Sequence, residues 1–165
     1  MRRHWFAILL AAAAVVLAVR WLAFEPFEVS SASMEPTLGA GDHVVANKLA
    51  YRFDAPQRGD LAVLHHPRSD EVLVKRIVAV GGDSVGLEDG VLVVNGHAQR
   101  EPFADPELID SIYFGPVRVP PGRVFVMGDQ RANSEDSRDF GAVALDAVIG
   151  RADTRFWPPG ALARG

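Results

Sequence analysis

The feature that most constrains this 165-residue chain is an unbroken apolar run at its N-terminus. Residues 5–19 are all apolar, and the run continues past Arg20 to residue 24. A helix of about 20 residues spans roughly 30 Å, which matches the hydrocarbon core of a bilayer. Arg20 lies near one end, where its stem can snorkel to the headgroups, and Trp5 and Trp21 lie where interfacial aromatic residues are common. The run predicts a single transmembrane helix.

Arg2 and Arg3 precede the run, so the positive-inside rule keeps the N-terminus in the cytoplasm and places the rest of the chain on the outer face of the membrane. Two alternatives stay open. Residues 6–19 match the apolar region of a cleaved signal peptide, although no small-x-small cleavage site follows them. The run also fits a buried core helix.

The chain changes character after the apolar run, where Pro, Gly and Asp separate short runs rich in Val, Ile and Leu. We therefore divide it into an anchor, residues 1–25, and an extracytoplasmic domain, residues 26–165. The domain should be mainly β, a curled sheet or a barrel-like assembly, with a surface loop at 100–111 and no readable function after residue 155. The predicted strands are residues 43–46, 61–65, 72–80, 91–94 and 123–127.

Composition excludes several kinds of function. The net charge of -4 argues against a nucleic-acid partner, which requires a basic surface. The chain has no cysteine, so thiol catalysis, disulfides and Cys-ligated zinc are excluded. The histidines show no metal-binding spacing such as HExxH. His65 could serve as a base, as could His66, but both precede Pro67 in what reads as a surface strand end.

Two segments could carry chemistry. Ser31 and Ser33 precede Pro36, which ends any extended strand, so a hydroxyl and a backbone N–H can meet at a turn. The alternative is a Ser-rich linker. Lys75 and Arg76 are adjacent in a β-branched run, so they point to opposite faces of a strand and one should face the interior. Burial would lower the pKa of that lysine. The alternative is that both cations snorkel to solvent.

A third segment, residues 128–141 (GDQRANSEDSRDFG), is too polar for a core element and follows a predicted strand. It contains Asp136 and Arg138, which suit either a solvated loop with internal ion pairs or a loop that supports a catalytic side chain.

Taken in order, these segments resemble the type I signal peptidases. Residues 31–38 (SASMEPTL) match that family's nucleophile box, SxSMxPTL, and residues 58–60 (RGD) match a second box. Residues 75–83 match a third box, which begins with KR and ends in GD, and residues 128–141 match the family's last box. The resemblance covers residues 31 to about 150 and implies a membrane-bound serine endopeptidase that removes signal peptides from exported preproteins.

The resemblance assigns roles to matching positions. Ser33 would be the nucleophile and Lys75 the general base. Ser31 would complete an oxyanion hole with the Ser33 N–H, and Ser134 would orient Lys75. Asp136 and Arg138 would support that loop. Candidates for the wall of a small-residue pocket are Val29, Leu38 and Val74.

Such an enzyme needs no metal or cofactor. Its implied partners are signal peptides, membrane lipid and, as a further candidate, the secretion translocon. Two rival functions stay open. One is a peptidase of the same family devoted to a single conjugation or pilus protein, and the other is a non-catalytic anchored β-domain.

Overall fold

The computed structural model describes residues 2–104, 113–159 and 162, which form a mainly β structure. The α-helices within these residues are α1 (Arg2–Ala23), α2 (Ala50–Phe53) and α3 (Ser137–Phe140). The strands are β1 (Phe24–Glu28), β2 (His43–Asn47), β3 (Leu61–His65), β4 (Val72–Val80), β5 (Ser84–Glu88), β6 (Val91–Val94), β7 (His97–Ala98), β8 (Phe114–Arg118), β9 (Arg123–Met127), β10 (Val143–Ala144) and β11 (Val148–Trp157). Each predicted strand coincides with one of these, and β11 continues into the tail that the sequence left unassigned.

The larger sheet is antiparallel, with strand order β1-β2-β11-β3-β4-β9-β10. Its long strand β11 pairs with both β2 and β3, and the register shifts along both ladders. A further shift interrupts the ladder between β4 and β9. Such irregularities bend a strand and increase its local twist. They account for the curled sheet, and the predicted mainly β class is confirmed.

The smaller sheet has the order β7-β6-β5-β8 and is built from tight hairpins. Asp89-Gly90 joins β5 to β6, and Asn95-Gly96 joins β6 to β7. All four turn residues have positive φ, between 53° and 78°. Two-residue turns of this kind match the twist of the flanking strands, which is why Asp-Gly and Asn-Gly favour them.

Strand β4 separates two of the hydrophobic cores. Val72 and Val74 pack with the first cluster, which also contains Val29. Leu73 and Ile77 pack with a second group on the other face. This alternation follows from the two-residue period of a strand.

The same alternation buries both adjacent cations of β4, since Lys75 is 2% exposed and Arg76 is 1% exposed. Arg76 forms a bidentate pair with the fully buried Asp129, donating from Nε at 2.8 Å and from Nη2 at 2.7 Å. Its Nη1 donates to the Gly59 carbonyl at 2.9 Å. The alternative in which both cations snorkel to solvent is therefore wrong.

The predicted loop at 100–111 is described only up to residue 104, and the rest lies outside the described residues. Within the described part, Phe103 is buried, and the Arg76 guanidinium lies 3.7 Å from its ring centroid. Glu101 pairs with the buried Arg131. A simple surface loop is the wrong interpretation for this part, because it covers the β4 arginine.

Helix α1 covers the predicted anchor as far as Ala23, and Phe24 begins β1. Among the helices of residues 2–104, 113–159 and 162, none is long and apolar enough to cross a membrane. The division at residues 25 and 26 stays a prediction.

Candidate active site

Ser33 lies on a single 3₁₀ turn, Ala32–Met34, between β1 and β2. Ser31 precedes the turn in an extended conformation, and Met34 anchors it in the first core cluster. The Ser33 side chain is almost buried, and its carbonyl accepts a hydrogen bond from the Gln130 N–H at 3.1 Å. The turn that carries Ser33 is thus attached to the loop after β9.

Lys75 reaches this turn from the middle of the larger sheet. Its Nζ donates to Ser33 Oγ at 2.8 Å and to Ser134 Oγ at 2.9 Å. Burial lowers the pKa of Lys75 from its ordinary value of 10.5, because the charged ammonium loses solvation. Asp136 opposes this shift and Arg138 adds to it. The lysine is therefore held by hydroxyl groups rather than by a carboxylate.

Ser134 connects the lysine to Asp136, to which it donates at 2.9 Å. Asp136 is fully buried, and it also accepts from the Gly128 N–H and from two guanidinium nitrogens of Arg138. The loss of solvation would raise the pKa of Asp136, but the bonds from Arg138 hold it below its usual value. A capping box with Asp139 fixes Asp136 at the start of α3.

Ser31 Oγ lies 3.1 Å from Ser33 Oγ, so its hydroxyl is beside the candidate nucleophile. The structure thus brings together Ser31, Ser33, Lys75 and Ser134, with Asp136 and Arg138 behind them. This arrangement can transfer a proton from a serine to an uncharged amine, which is the chemistry of a Ser/Lys hydrolase.

Comparison with known proteins identifies the family. A family model described as signal peptidase, peptidase S26, matches residues 2–157. This chain belongs to that family. Signal peptidase I of Bacillus caldolyticus is 36% identical over 169 residues, covering 95% of this chain and 90% of that protein. Signal peptidase I of Mycobacterium tuberculosis is 38% identical over 213 residues, covering 93% of this chain and 72% of that protein.

A crystal structure of a signal peptidase I from Enterococcus faecalis V583 shares the fold, with a TM-score of 0.52 and 29% identity. The match covers 59% of this chain and 97% of that one. The resemblance drawn from the sequence is confirmed, and the chain is a peptidase.

A groove of about 690 Å³ opens beside Ser33 and Lys75 in this S26 peptidase. Its described lining residues are Glu28, Ser30, Ser31, Ala32, Ser33, His66, Glu71, Val72, Leu73, Lys75, Asn133 and Glu135. The predicted wall residues Val29, Leu38 and Val74 all pack in the first core cluster, behind this lining. Val72, which lies on the same face of β4 as Val74, does reach the groove.

Sequence reasoning missed the groove residues that come from loops. His66 was placed on a surface strand end, yet only 8% of its side chain is exposed, and it contacts Phe140 edge-on. Ser33 Oγ is hydrogen bonded to Lys75 and Ser31, and within the described chain no bond joins it to His66. Asp129, the partner of Arg76, lies inside the last box, and two adjacent cations on one predicted strand were the signal that a buried carboxylate partner was needed.

The lowered pKa of Lys75 predicts a pH-dependent stability. Between the folded-state pKa and the ordinary pKa, the unfolded chain binds more protons, so the free energy of unfolding rises with pH. Lys75→Met lacks this titration. Relative to that variant, the native protein should gain stability as the pH rises from about 7 to about 10.

Urea unfolding in detergent at both pH values measures this difference. Lys48→Met, at a lysine that is one-third exposed, is the matched control. If the native protein and Lys75→Met differ by the same free energy of unfolding at both pH values, burial does not destabilise the Lys75 ammonium.

Proposed function

We propose that this chain is a membrane-anchored signal peptidase in which Ser33 attacks the substrate and Lys75 is the general base. The observation that carries the proposal is the 2.8 Å contact between Ser33 Oγ and a buried Lys75 Nζ at the side of an open groove. Because its pKa is lowered, Lys75 becomes a free amine at a lower pH than an ordinary lysine does, and the free amine can accept a proton.

In the first step, the neutral Lys75 amine accepts the Ser33 hydroxyl proton while Ser33 Oγ bonds to the scissile carbonyl carbon. The carbonyl π electrons move to oxygen and form a tetrahedral oxyanion. The Ser33 N–H and the Ser31 hydroxyl are the proposed donors to that oxygen. A single donor of this kind is typically worth about 2.7–4 kcal/mol in the transition state.

In the second step, the Lys75 ammonium gives its proton to the leaving amine as the C–N bond breaks, which leaves an acyl-enzyme on Ser33. Lys75 is then neutral again and takes a proton from water as the water attacks the ester. It gives this proton to Ser33 Oγ as the ester C–O bond breaks, which releases the acid product and regenerates the serine. Ser134 keeps Nζ beside Ser33, and Asp136 and Arg138 keep Ser134 in place.

The substrate would bind as an added strand. Strand β9 pairs with β4 only at residues 76–80, so the edge of β4 at Val72–Lys75 faces the groove. The opposite side of the groove is formed by Glu28 and the residues after β1. An extended signal peptide fits between these two edges, with its small residues against the apolar face of Val72.

The anchor and its orientation are part of the proposal. Helix α1 exposes large apolar side chains to more than half of their area, among them those of Trp5, Phe6 and Leu9. A lipid environment would cover these side chains. Ser33 follows Phe24 by few residues, so an extended chain of about 3.3 Å per residue keeps it within roughly 30 Å of the end of the anchor. The catalytic domain would then work at the outer surface of the cytoplasmic membrane, with the translocon as a candidate partner.

A fluorogenic peptide that contains a signal-peptide cleavage site tests both function and location. Sealed spheroplasts that express the chain should cleave it at the expected bond, and spheroplasts that express Ser33→Ala should not. N-terminal sequencing of the product identifies the bond. Cleavage only after detergent treatment would contradict the outer-face location, and no cleavage with or without detergent would contradict the function.

The Ser/Lys pair has its own signature. Ser33→Ala and Lys75→Ala should each abolish cleavage, and the double variant should be no worse, because the two groups act as a unit. Lys75→Arg should also be inactive, since a guanidinium cannot be deprotonated in a protein. Thermal unfolding checks that each variant is folded. A folded, active Lys75→Arg would overturn the assignment of the base.

The oxyanion hole predicts a different kinetic pattern. Ser31→Ala should lower kcat by about 10²–10³ with little change in KM, because the donor acts mainly in the transition state. Ser31→Thr keeps a hydroxyl and should retain more activity. Steady-state kinetics with one peptide compares the two variants. If Ser31→Ala cleaves at the native rate, Ser31 is not the oxyanion donor.

A further inference from the structure

The groove has two chemically different faces. Val72 and Val74 of β4 pack in the same cluster as Val29, whereas Leu73 packs on the opposite side of the strand. Phe27 belongs to the Val29 side, so its neighbour Glu28 points the other way. On the Val29 side, Val72 reaches the groove and makes that face apolar, and the other face carries Leu73 together with polar side chains.

The polar face is acidic. Glu28, Glu71 and Glu135 line it, and all three are exposed. Within the described residues, none of them pairs with a lysine or arginine, and Lys75 is the one such cation that lines the groove. Burial lowers the pKa of Lys75, which disfavours the charged ammonium that could offset these carboxylates.

A buried donor lies beside one of these carboxylates. The Nδ1 of His66 accepts the Arg68 N–H at 3.1 Å, so the neutral ring carries its hydrogen on Nε2. Nε2 lies 3.4 Å from Glu135 Oε1 and has no hydrogen-bond partner among the described residues. The side chain is more than nine-tenths buried and lines the groove. A peptide carbonyl bound there would satisfy this N–H.

We propose, on the basis of the function proposed above, that this acidic face binds a lysine or arginine side chain at the next-to-last substrate residue before the cut. Side chains of an added strand alternate between the two faces. The last residue before the cut lies against the apolar face, so the residue before it points to Glu28, Glu71 and Glu135. The Nε2–H of His66 would donate to a backbone carbonyl of the substrate beside these carboxylates.

Exposed ion pairs are individually weak, and each strengthens binding by up to about fivefold. With several carboxylates around one cation, we expect a Lys substrate to be cleaved roughly 3–10 times more efficiently than its Gln counterpart at low salt. Salt should weaken the preference because these charges are exposed to solvent.

The test compares matched peptides that have Lys, Gln or Glu at the next-to-last position and are otherwise identical. Values of kcat/KM should follow the order Lys, Gln, Glu at low ionic strength and converge at about 0.5 M salt. The Lys-to-Gln ratio should fall towards one in the Glu71→Gln/Glu135→Gln variant. It should stay at the native value in Glu88→Gln, the matched control, because Glu88 ends β5 in the other sheet. Taking the ratio within each variant cancels any general change in rate.

Three controls sharpen the test. Moving the lysine one residue further from the cut points it at the apolar face and should remove the preference. His66→Phe removes the donor to the substrate backbone, so it should raise KM for all three peptides alike and leave the Lys-to-Gln ratio unchanged, and His66→Gln, which keeps a donor, should restore part of the affinity. Binding of the same peptides to Ser33→Ala should show the same order of affinity.

Efficient cleavage of all three peptides at equal rates would overturn the acidic subsite and leave the proposed function intact. An undiminished preference in the Glu71→Gln/Glu135→Gln variant would also overturn it. If none of the peptides is cleaved by the native protein, the proposed function fails. In that case, equal affinity of the Lys and Gln peptides for Ser33→Ala would overturn the subsite as well.

Discussion

The pairing of Arg76 with Asp129 is the interaction on which the catalytic arrangement depends. The pleat of β4 sends two adjacent cations to opposite faces, and both end in the interior. Arg76 meets a carboxylate in bidentate geometry. Removing one partner of such a buried pair typically costs about 3–5 kcal/mol, because an uncompensated charge stays buried. Lys75, one residue earlier, has hydroxyl groups as its neighbours, and its pKa falls instead.

This pairing also positions the loop after β9. Asp129 fixes the start of the loop on Arg76, and Asp136 fixes its end through Arg138. Between them, Gln130 donates its N–H to the Ser33 carbonyl. Gly128 allows this close approach, since a Cβ there would lie 2.5 Å from the Ser33 carbonyl oxygen. The loop thus joins the Ser33 turn, Lys75 and Arg76 in one hydrogen-bonded unit.

The two faces of the groove differ in how their side chains are packed. The apolar face continues into the first core cluster, so its shape is fixed by buried packing. The acidic face consists of exposed side chains, so its residues can differ without disturbing the core. Its charge can therefore set substrate preference without changing the geometry of Ser33 and Lys75.

Local sequence patterns determined much of this protein. Valine-rich runs between turn residues predicted the strands, and Asp89-Gly90 and Asn95-Gly96 suit the tight hairpin turns, because these signals act within a few residues. The boxes around Ser33, Lys75 and Ser134 carried the family resemblance. The tertiary structure alone decided that both Lys75 and Arg76 are buried, since alternation predicts opposite faces but not what covers each face. It also brought His66, Glu71 and Glu135 into one groove, because their proximity arises from contacts between segments distant in sequence, which no local pattern records.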